Sequence, residues 1–344
     1  MQVDVDLKDF SYKVFIDELS QLKFNQNVAI ITNQTVSGLW LKDLLSLIEA
    51  KNLNIISIPD GENYKNFDTL NFILEQLFVA KFDRKSTLIA FGGGVVSDIT
   101  GFAASIFQRG IDFINIPTTL LSQIDASVGG KTGINNKFGK NLIGSFHQPK
   151  AVYCESKFLK TLPYREFVAG VAEGIKMAIM FDKNLFKFLE KSDLKTQNEI
   201  SKLIKKCVEI KAKVVSLDER ESNIRVVLNY GHTFGHVIEN NTNYLKFLHG
   251  EAVSIGMNMA NHLAFRLNLI SKDELVSIEK LLIKFNLPTR YKIKDIEKFY
   301  DKFFLDKKSS NKKIKFILPN GIGKYIVKDD ISKDIVLEVL REFQ

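Results

Sequence analysis

The sequence predicts an α/β amino-terminal domain built on a doubly wound, mostly parallel sheet, followed by a mainly α-helical carboxyl-terminal domain. Short apolar runs alternate with helical patterns in the first half, long helical patterns fill the second half, and ten of the twenty glycines fall between Gly92 and Gly144. Strands that alternate with helices are typical of a parallel sheet covered on both faces. We place the boundary near residue 150, so the predicted domains span residues 1–150 and 151–344.

Four buried strands are predicted in the first half. Each is an apolar run of five or six residues bounded by polar or turn residues. Such runs are typical of strands that are buried on both faces. They cover residues 27–32, 54–58, 87–91 and 112–116. Between them, apolar residues at three- and four-residue spacing predict helices over residues 36–51 and 66–82.

Helical patterns dominate the second half. They cover residues 163–190, 194–217, 249–269, 271–285 and 293–304. Residues 313–318 and 325–327 instead predict a small hairpin around Asn320-Gly321, because this dipeptide is typical of tight turns.

The net charge is positive, since 48 Lys and Arg stand against 40 Asp and Glu, giving +8. Such a surplus fits a nucleic-acid surface, a site for an anionic small molecule, or solubilising lysines. A nucleic-acid surface would interleave basic and aromatic residues on one face. The lysine-rich residues 202–213 resemble a solvated helix face instead, so we expect no nucleic-acid partner.

Cysteine usage and hydropathy indicate the compartment. Cys154 and Cys207 lie far apart and neither belongs to a CxxC pair, which argues against a disulfide framework and against a cysteine-based zinc site. No stretch reaches about 18 uncharged apolar residues, and the amino end lacks a targeting pattern. We therefore expect a cytoplasmic protein with no membrane partner.

Two polar segments follow predicted strands. Gly92-Gly93-Gly94 lies between the strand at 87–91 and a predicted helix near Ser97, where glycine amides and a helix amino terminus suit a phosphate. Because GxGxxG would require glycine at position 97, a glycine turn needed only for packing stays an alternative. The turn at residues 60–65 follows an earlier strand at the same end of the sheet, where ligands of open sheets bind. An ordinary polar turn is its alternative.

A long loop is predicted after the fourth strand. Cations and amides interleave there with glycines, and loops longer than about 12 to 15 residues inside a compact domain are usually functional or disordered. We expect it to bind an anionic ligand. The residues concerned are Asp125, Lys131, Asn135, Lys137, Lys140 and Asn141.

Three of the five histidines, His232, His236 and His249, fall within eighteen residues. His232 and His236 stand four apart, which puts both on one helix face. HTFGH lacks the glutamate of HExxH, so a metalloprotease is not supported. Upstream, Glu173 interrupts an apolar helix, and a buried carboxylate is costly unless it meets a metal or a cation. A divalent-metal site is the prediction, and a surface ion pair between Glu173 and Lys176 is the alternative.

Eight strings occur in an order that resembles the 3-dehydroquinate synthase family over essentially the full length. They are DGENYK (60–65), GGGVVSD (92–98), RGIDFINIPTTLLSQIDASVGGKTGIN (109–135), GKNLIGSFHQP (139–149), AEGIK (172–176), RVVLNYGHTFGH (225–236), HGEAVSIGM (249–257) and DKK (306–308). The resemblance implies conversion of 3-deoxy-D-arabino-heptulosonate 7-phosphate to 3-dehydroquinate and phosphate, in the shikimate pathway that supplies aromatic amino acids. The implied steps are transient oxidation by NAD, phosphate β-elimination, re-reduction and an intramolecular aldol closure.

The resemblance also implies site residues. The metal, zinc with cobalt as an alternative, would be held by Glu173, His232 and His249. NAD would be bound by Asp60, Gly61, Glu62, Asn63, Tyr64, Lys65, Gly93, Gly94, Val95, Val96, Ser97, Asp98, Thr118, Thr119, Lys131, Lys140, Phe158, Leu159, Lys160 and Thr161. Substrate and catalysis would involve Asp125, Lys131, Asn141, Lys176, Lys211, Arg225, Asn229, His236 and one of Lys307 or Lys308.

Arg109 corresponds to a residue that members of the family deliver from a neighbouring subunit, so a homodimer is implied. Two other functions share most of these features. One is another sugar-phosphate cyclase, which would differ in details of its pocket. The other is a metal- and NAD-dependent polyol dehydrogenase, which would need fewer cations and would release NADH.

Overall fold

The structure is a computed structural model and describes residues 1–243, 245–304 and 313–344. The strands are β1 (Gln2–Val5), β2 (Tyr12–Ile16), β3 (Leu22–Asn33), β4 (Ile48–Ile58), β5 (Thr87–Gly92), β6 (Asp112–Pro117), β7 (Lys131–Asn136), β8 (Gly139–Phe146), β9 (Ala151–Cys154), β10 (Phe316–Pro319) and β11 (Tyr325–Lys328). The helices are α1 (Gln34–Leu45), α2 (Phe67–Val79), α3 (Gly94–Ile106), α4 (Tyr164–Phe181), α5 (Lys183–Lys191), α6 (Gln197–Leu217), α7 (His232–Asn241), α8 (His249–Arg266), α9 (Lys272–Lys284), α10 (Ile296–Asp301) and α11 (Lys333–Arg341).

Two compact units make up the chain. The first combines Met1–Pro163 with Thr196–Arg220, and the second combines Tyr164–Lys195 with Glu221–Gln344. The sequence predicts one boundary near residue 150, whereas α6 returns to the first unit. The sequence also predicts that residues 1–150 bind NAD and that residues 151–344 bind the metal and the substrate, and both assignments stay predictions.

A seven-stranded sheet forms the first unit, in the order β1-β2-β9-β6-β5-β3-β4. Only the β1–β2 pair is antiparallel, and every other pairing is parallel. The four predicted strands are its β3, β4, β5 and β6, and the predicted doubly wound, mostly parallel sheet is confirmed.

Both faces of this sheet are buried because successive side chains of a strand point to opposite faces. Ile31 and Leu88 pack in a core that includes residues of α2 and α3. Their neighbours Ile30 and Ile89 pack in a second core, together with Leu44 of α1. Removing each such side chain from water contributes about 1.5–3 kcal/mol, which favours this alternating arrangement.

The predicted helix over residues 36–51 is too long. Helix α1 ends at Leu45, and residues from Ile48 onward form β4. Ile48–Ala50 pair in parallel with Leu22–Phe24 of β3. Pairing with a distant strand gives these backbone groups their partners, and a local apolar spacing cannot detect such pairing.

The prediction of a long loop after β6 is also wrong. Residues Ser122–Ala126 form a short π-helix, and β7 and β8 form an antiparallel hairpin. The two strands approach closely at Gly144, where an added Cβ would lie 2.0 Å from Thr132 O. Glycines that suggest flexibility in the sequence thus serve close strand packing here.

The second unit is mainly helical, as predicted, with α4 and α7 packed against α8. The predicted helix over residues 163–190 is divided at Asp182, whose Oδ1 accepts hydrogen bonds from the amides of Asn184 and Leu185 and so caps α5. The predicted hairpin around Asn320-Gly321 is confirmed as β10 and β11. None of the described helices has the length and apolarity required to span a membrane.

Candidate active site and metal centre

Three side chains of the second unit converge on one point. Glu173 lies in the middle of α4, His232 begins α7 and His249 begins α8. Their potential ligand atoms all lie within 4.8 Å of one another, and His249 Nε2 lies 3.7 Å from Glu173 Oε1. This group has the composition that the resemblance implies for the metal ligands, and the ligand roles stay a prediction.

His236 lies beside His232 but farther from His249 than His232 does. Its ring centroid lies 5.3 Å from that of His232 and 6.4 Å from that of His249, whereas the His232 and His249 centroids are 5.1 Å apart. The helical spacing therefore brings His232 and His236 together, as expected. A ligand set drawn from neighbouring histidines alone would have missed His249, which folding brings from the next helix.

Glu173 occupies a site that suits a cation. Its side chain is 1% exposed and makes an ion pair with Lys176, which is 3% exposed. Within the described part of the chain, neither carboxylate oxygen has a hydrogen-bond partner. The alternative of a surface ion pair is wrong because both groups are buried. A buried carboxylate with so few hydrogen bonds gains much from a second cation, which fits a divalent metal.

His232 is held as a neutral imidazole. Burial lowers its pKa well below the ordinary value, and the charges of Lys176, His249 and His236 lower the pKa further. Its Nδ1 lies 3.2 Å from the carbonyl oxygen of Tyr230. A neutral ring with Nδ1 engaged leaves Nε2 available as a metal ligand.

His249 has an acidic environment. Burial alone would lower its pKa, but the hydrogen bond and the charge of Glu239 outweigh this effect, and the charge of Glu173 adds to them, so the pKa is raised. The ring therefore attracts a positive charge, either a proton or a metal, at the position where the three potential ligands meet.

Arg225 and Asn229 lie in the 3₁₀ turn Ile224–Asn229 that precedes α7. Arg225 is buried, and Asn229 Nδ2 donates a hydrogen bond of 3.0 Å to Glu221 Oε1. Together with Lys176 they give the second unit two buried cations and an amide. Asp306, Lys307 and Lys308 lie outside the described residues.

The glycines at residues 92–94 differ in the space around them. An added Cβ at Gly92 would lie 2.6 Å from Val96 Cγ2, so packing requires that glycine. At Gly94 a Cβ would meet only Ala126 Cβ, at the ordinary distance of 3.6 Å. Gly93 caps α3 without a side-chain hydrogen bond. The amides at this helix terminus therefore suit an anionic group such as the pyrophosphate of NAD.

The turn after β4 is bonded to neighbouring elements of the first unit. Asp60 accepts hydrogen bonds from Asn33 Nδ2 at 2.8 Å and from Thr35 Oγ1 at 2.9 Å. The buried Lys65 makes an ion pair with Asp98 of α3. Burial raises the pKa of Asp98, and the charge of Lys65 opposes that rise. The turn and the start of α3, two segments predicted to bind NAD, are thus held together.

Among the other predicted residues of the first unit, Lys211 and Asp125 form an ion pair, whereas Phe158 is buried in the core. Lys211 on α6 donates a hydrogen bond of 2.7 Å to Asp125 Oδ1, so these two predicted substrate residues lie together. Phe158 is 1% exposed and stacks edge-on against Trp40 and Phe91. Its ring is therefore part of the core, and only backbone atoms at that position could contact a cofactor.

Arg109 is exposed on a strained turn. Gln108, Arg109 and Gly110 have φ values of 51°, 70° and 118°, all in the left-handed region. Such backbone is costly for residues other than glycine and often occurs at functional sites. Among the described residues, Arg109 has no hydrogen bond or ion pair with another side chain.

Two glutamates that the sequence does not predict contact residues of the site. Glu239 contacts His249, and Glu221 contacts Asn229. Glu239 follows His232 by seven residues, a spacing that keeps both on one helix face, and this was the only local signal.

Two family models match consecutive parts of the chain, which together cover residues 55–309. The model of the 3-dehydroquinate synthase N-terminal domain matches residues 55–169, and that of the C-terminal domain matches residues 170–309. A 3-dehydroquinate synthase of Campylobacter hominis is 65% identical over 344 residues, covering 100% of both chains. The chain belongs to the 3-dehydroquinate synthase family. A 3-dehydroquinate synthase of Campylobacter fetus subsp. fetus is 64% identical over 346 residues, again covering 100% of both chains.

The fold is shared with a solved synthase. ValA, the 2-epi-5-epi-valiolone synthase of Streptomyces hygroscopicus subsp. jinggangensis, was solved with NAD+ and Zn2+ bound. It superposes with a TM-score of 0.87 at 26% identity, covering 98% of both chains. The chain is much more similar in sequence to the 3-dehydroquinate synthases than to this valiolone synthase.

Proposed function

We propose that this member of the 3-dehydroquinate synthase family converts 3-deoxy-D-arabino-heptulosonate 7-phosphate to 3-dehydroquinate and phosphate, with NAD and a divalent metal as cofactors. The observation that carries the proposal is the convergence of the buried Glu173 with the half-buried His232 and His249, in a chain that matches named 3-dehydroquinate synthases over its full length. The metal is zinc, with cobalt as the alternative, since two imidazoles and a carboxylate suit zinc.

Glu173, His232 and His249 would hold the metal. Three protein ligands leave one position of a four-coordinate zinc open for substrate. When bound, the metal supplies Lewis-acid polarisation of a substrate oxygen, and NAD supplies an acceptor that later returns the hydride. The low pKa of His232 supports this role, because a neutral imidazole can give its lone pair to a metal.

The NAD-binding role is proposed for the turn and the helix terminus of the first unit. The amide groups of Gly93 and Gly94 at the start of α3 would face the pyrophosphate. Lys65 orders the turn through Asp98. The further residues proposed to bind NAD are Asp60, Gly61, Glu62, Asn63, Tyr64, Val95, Val96, Ser97, Thr118, Thr119, Lys131, Lys140, Phe158, Leu159, Lys160 and Thr161.

Substrate binding is proposed for the cations and amides. A substrate with a carboxylate and a phosphate needs cations at both ends, and charge-assisted hydrogen bonds fix its orientation. The buried Lys176, Lys211 and Arg225 are already desolvated, so their interactions with an anion are strong. The further residues proposed here are Asp125, Lys131, Asn141, Asn229, His236 and one of Lys307 or Lys308.

A cytoplasmic homodimer is proposed in which Arg109 reaches the neighbouring subunit. The strained turn and the exposed guanidinium support this role, because strain of this kind persists where function selects it. Sedimentation of the purified protein tests the dimer. Mixing an Arg109→Ala chain with an inactive His249→Ala chain then tests whether one subunit complements the other.

The decisive assay follows free phosphate and nicotinamide absorbance together. Purified protein is incubated with zinc, a small amount of NAD and the heptulosonate phosphate. Phosphate release in excess of NAD, with no net NADH, is expected. Stoichiometric NADH would instead indicate the polyol dehydrogenase, and a carbocyclic product other than 3-dehydroquinate by NMR would indicate another sugar-phosphate cyclase. Enzyme treated with a chelator and assayed without zinc is the control.

A further inference from the structure

Glu239 lies beside one of the proposed metal ligands without belonging to the ligand group. It is on α7, seven residues after His232, and its side chain is 4% exposed. Its Oε1 lies 3.3 Å from His249 Nδ1. The other ring nitrogen of His249, Nε2, lies 3.7 Å from Glu173 Oε1. The two nitrogens of one imidazole therefore lie next to two different carboxylates.

The positions of the two carboxylates indicate which nitrogen of His249 would meet a metal. Glu173 belongs to the group of potential ligands, so the nitrogen on its side, Nε2, is the one that a metal would meet. A neutral imidazole then carries its proton on Nδ1. That proton is directed at Glu239, and the hydrogen bond holds both the tautomer and the ring orientation.

His232 also has a partner at Nδ1, but this partner is a backbone carbonyl and not a carboxylate. His232 Nδ1 lies 3.2 Å from the backbone carbonyl of Tyr230. Tyr230 is fully buried, and its hydroxyl donates a hydrogen bond to Asn261 of α8, which fixes that segment. Nδ1 is thus engaged in both histidines, by a neutral carbonyl in one and by a carboxylate in the other.

We propose that Glu239 is a positioning residue of the metal centre, which accepts a hydrogen bond from His249 Nδ1, directs Nε2 to the metal and so strengthens metal binding. The inference rests on the proposed function. A carboxylate in this position also makes the imidazole a stronger donor to the metal, and loss of such a partner typically weakens metal binding about 10–100-fold.

Zinc affinity measures this role directly. The metal-free protein, Glu239→Gln and Glu239→Ala are titrated with zinc in competition with a chromophoric chelator. The glutamine variant retains an oxygen acceptor but loses the charge, so we expect its dissociation constant to rise about 10-fold, and that of the alanine variant to rise about 100-fold. The matched control is Glu274→Gln, which removes a carboxylate on α9 that bonds the amides of Ser271 and Ile322. Its zinc affinity should stay within about twofold of the unsubstituted chain.

The outcomes separate this inference from the proposed function. If the unsubstituted chain takes up no zinc, the proposed metal centre itself is wrong. If it binds zinc and both Glu239 variants bind it equally well, the metal centre stands and the positioning role is overturned. Should the alanine variant fail to fold, the glutamine variant decides, because it has nearly the same shape.

Cobalt substitution gives a second readout besides activity. The d–d absorption of the cobalt-loaded Glu239→Gln protein should keep the intensity of the unsubstituted chain and shift only in position, because no ligand is lost. A collapse of intensity like that expected for His249→Ala would mean that Glu239 is itself a ligand, which would overturn the positioning role.

Discussion

Lys65 Nζ donates a hydrogen bond of 2.5 Å to Asn141 Oδ1 and also makes an ion pair with Asp98. Lys65 ends the turn after β4, Asp98 lies near the start of α3, and Asn141 lies in β8 with a left-handed φ of 56°. Asn135 joins the same segments, because its Nδ2 donates to Glu62 Oε1 at 2.8 Å and its Oδ1 accepts from the Asn141 amide at 2.9 Å. One buried cation thus links residues proposed for NAD and for substrate.

Lys65→Met should damage both stability and NAD binding. The substitution leaves the mostly buried Asp98 carboxylate without its cation, and breaking a buried pair in this way costs about 3 kcal/mol of unfolding free energy. Urea unfolding and NAD titration measure the two effects. Lys23→Met is the control, because Lys23 pairs with Glu49 on the surface, and we expect a change below about 0.5 kcal/mol there. An equal loss in both variants would contradict the argument.

The central strands could be predicted from the sequence because burial on both faces leaves a continuous apolar run. The strand at the edge of the sheet could not be predicted in this way. Strand β1 has only four residues, and the alternation of Val3 and Val5 with exposed aspartates is too short to be read as a strand. Strand β4 also begins earlier than predicted, since its first residues depend on pairing with β3, which the local sequence does not record.

The candidate site could also be predicted only in part from the local sequence. His232 and His236 share a helix face that their spacing predicts, whereas Glu173 and His249 join them only because α4, α7 and α8 pack together. The resemblance of the eight ordered strings to a known family is what predicts that Glu173 and His249 meet His232. The sequence does not predict a role for Glu239 because a glutamate in a helix usually faces solvent, and only the fold buries this one.

Removing one proposed ligand should separate metal loss from loss of turnover. His249→Ala should lose bound zinc and activity while keeping its circular dichroism spectrum, because Glu173 and His232 alone form too few ligands. His236→Ala should keep the zinc and lose turnover. His262→Ala, on the same helix as His249, is the control and should keep both. Full zinc retention by His249→Ala, measured by atomic absorption, would remove that residue from the ligand set.

Gly250 sets the distance between the helices that bear Glu173 and His249. An added Cβ would lie 1.9 Å from Ala169 O of α4, so Gly250→Ala must push α4 away from α8. We expect the free energy of unfolding to fall by about 1–3 kcal/mol, and zinc affinity to fall with it. Gly38→Ala is the matched control, because nothing lies within 4 Å of its added Cβ in α1. That variant should gain about 0.5–1 kcal/mol in thermal or urea unfolding. A stable Gly250→Ala protein with unchanged zinc affinity would refute this role.

Glu342 anchors the carboxyl-terminal helix to α8 in a pH-dependent way. It accepts hydrogen bonds from Arg266 Nε at 2.9 Å and from His262 Nδ1 at 2.5 Å. Partial burial alone would raise the pKa of Glu342, but the hydrogen bonds from Arg266 and His262 outweigh it, so the pKa lies below its ordinary value. A carboxylate whose folded-state pKa is lowered stabilises the protein above its ordinary pKa, and this contribution is lost as the pH falls through the folded-state value.

Glu342→Gln should therefore lower the free energy of unfolding by about 1 kcal/mol at about pH 5.5, and the difference from the unsubstituted chain should shrink towards about pH 3. Urea unfolding at both pH values measures it. Glu338→Gln is the control, because Glu338 pairs with the same Arg266 at 2.7 Å but is half exposed, so its effect should stay below about 0.5 kcal/mol. A difference for Glu342→Gln that grows as the pH falls would show that the carboxylate is not stabilised in its charged form, because only a lowered pKa makes acid remove the contribution.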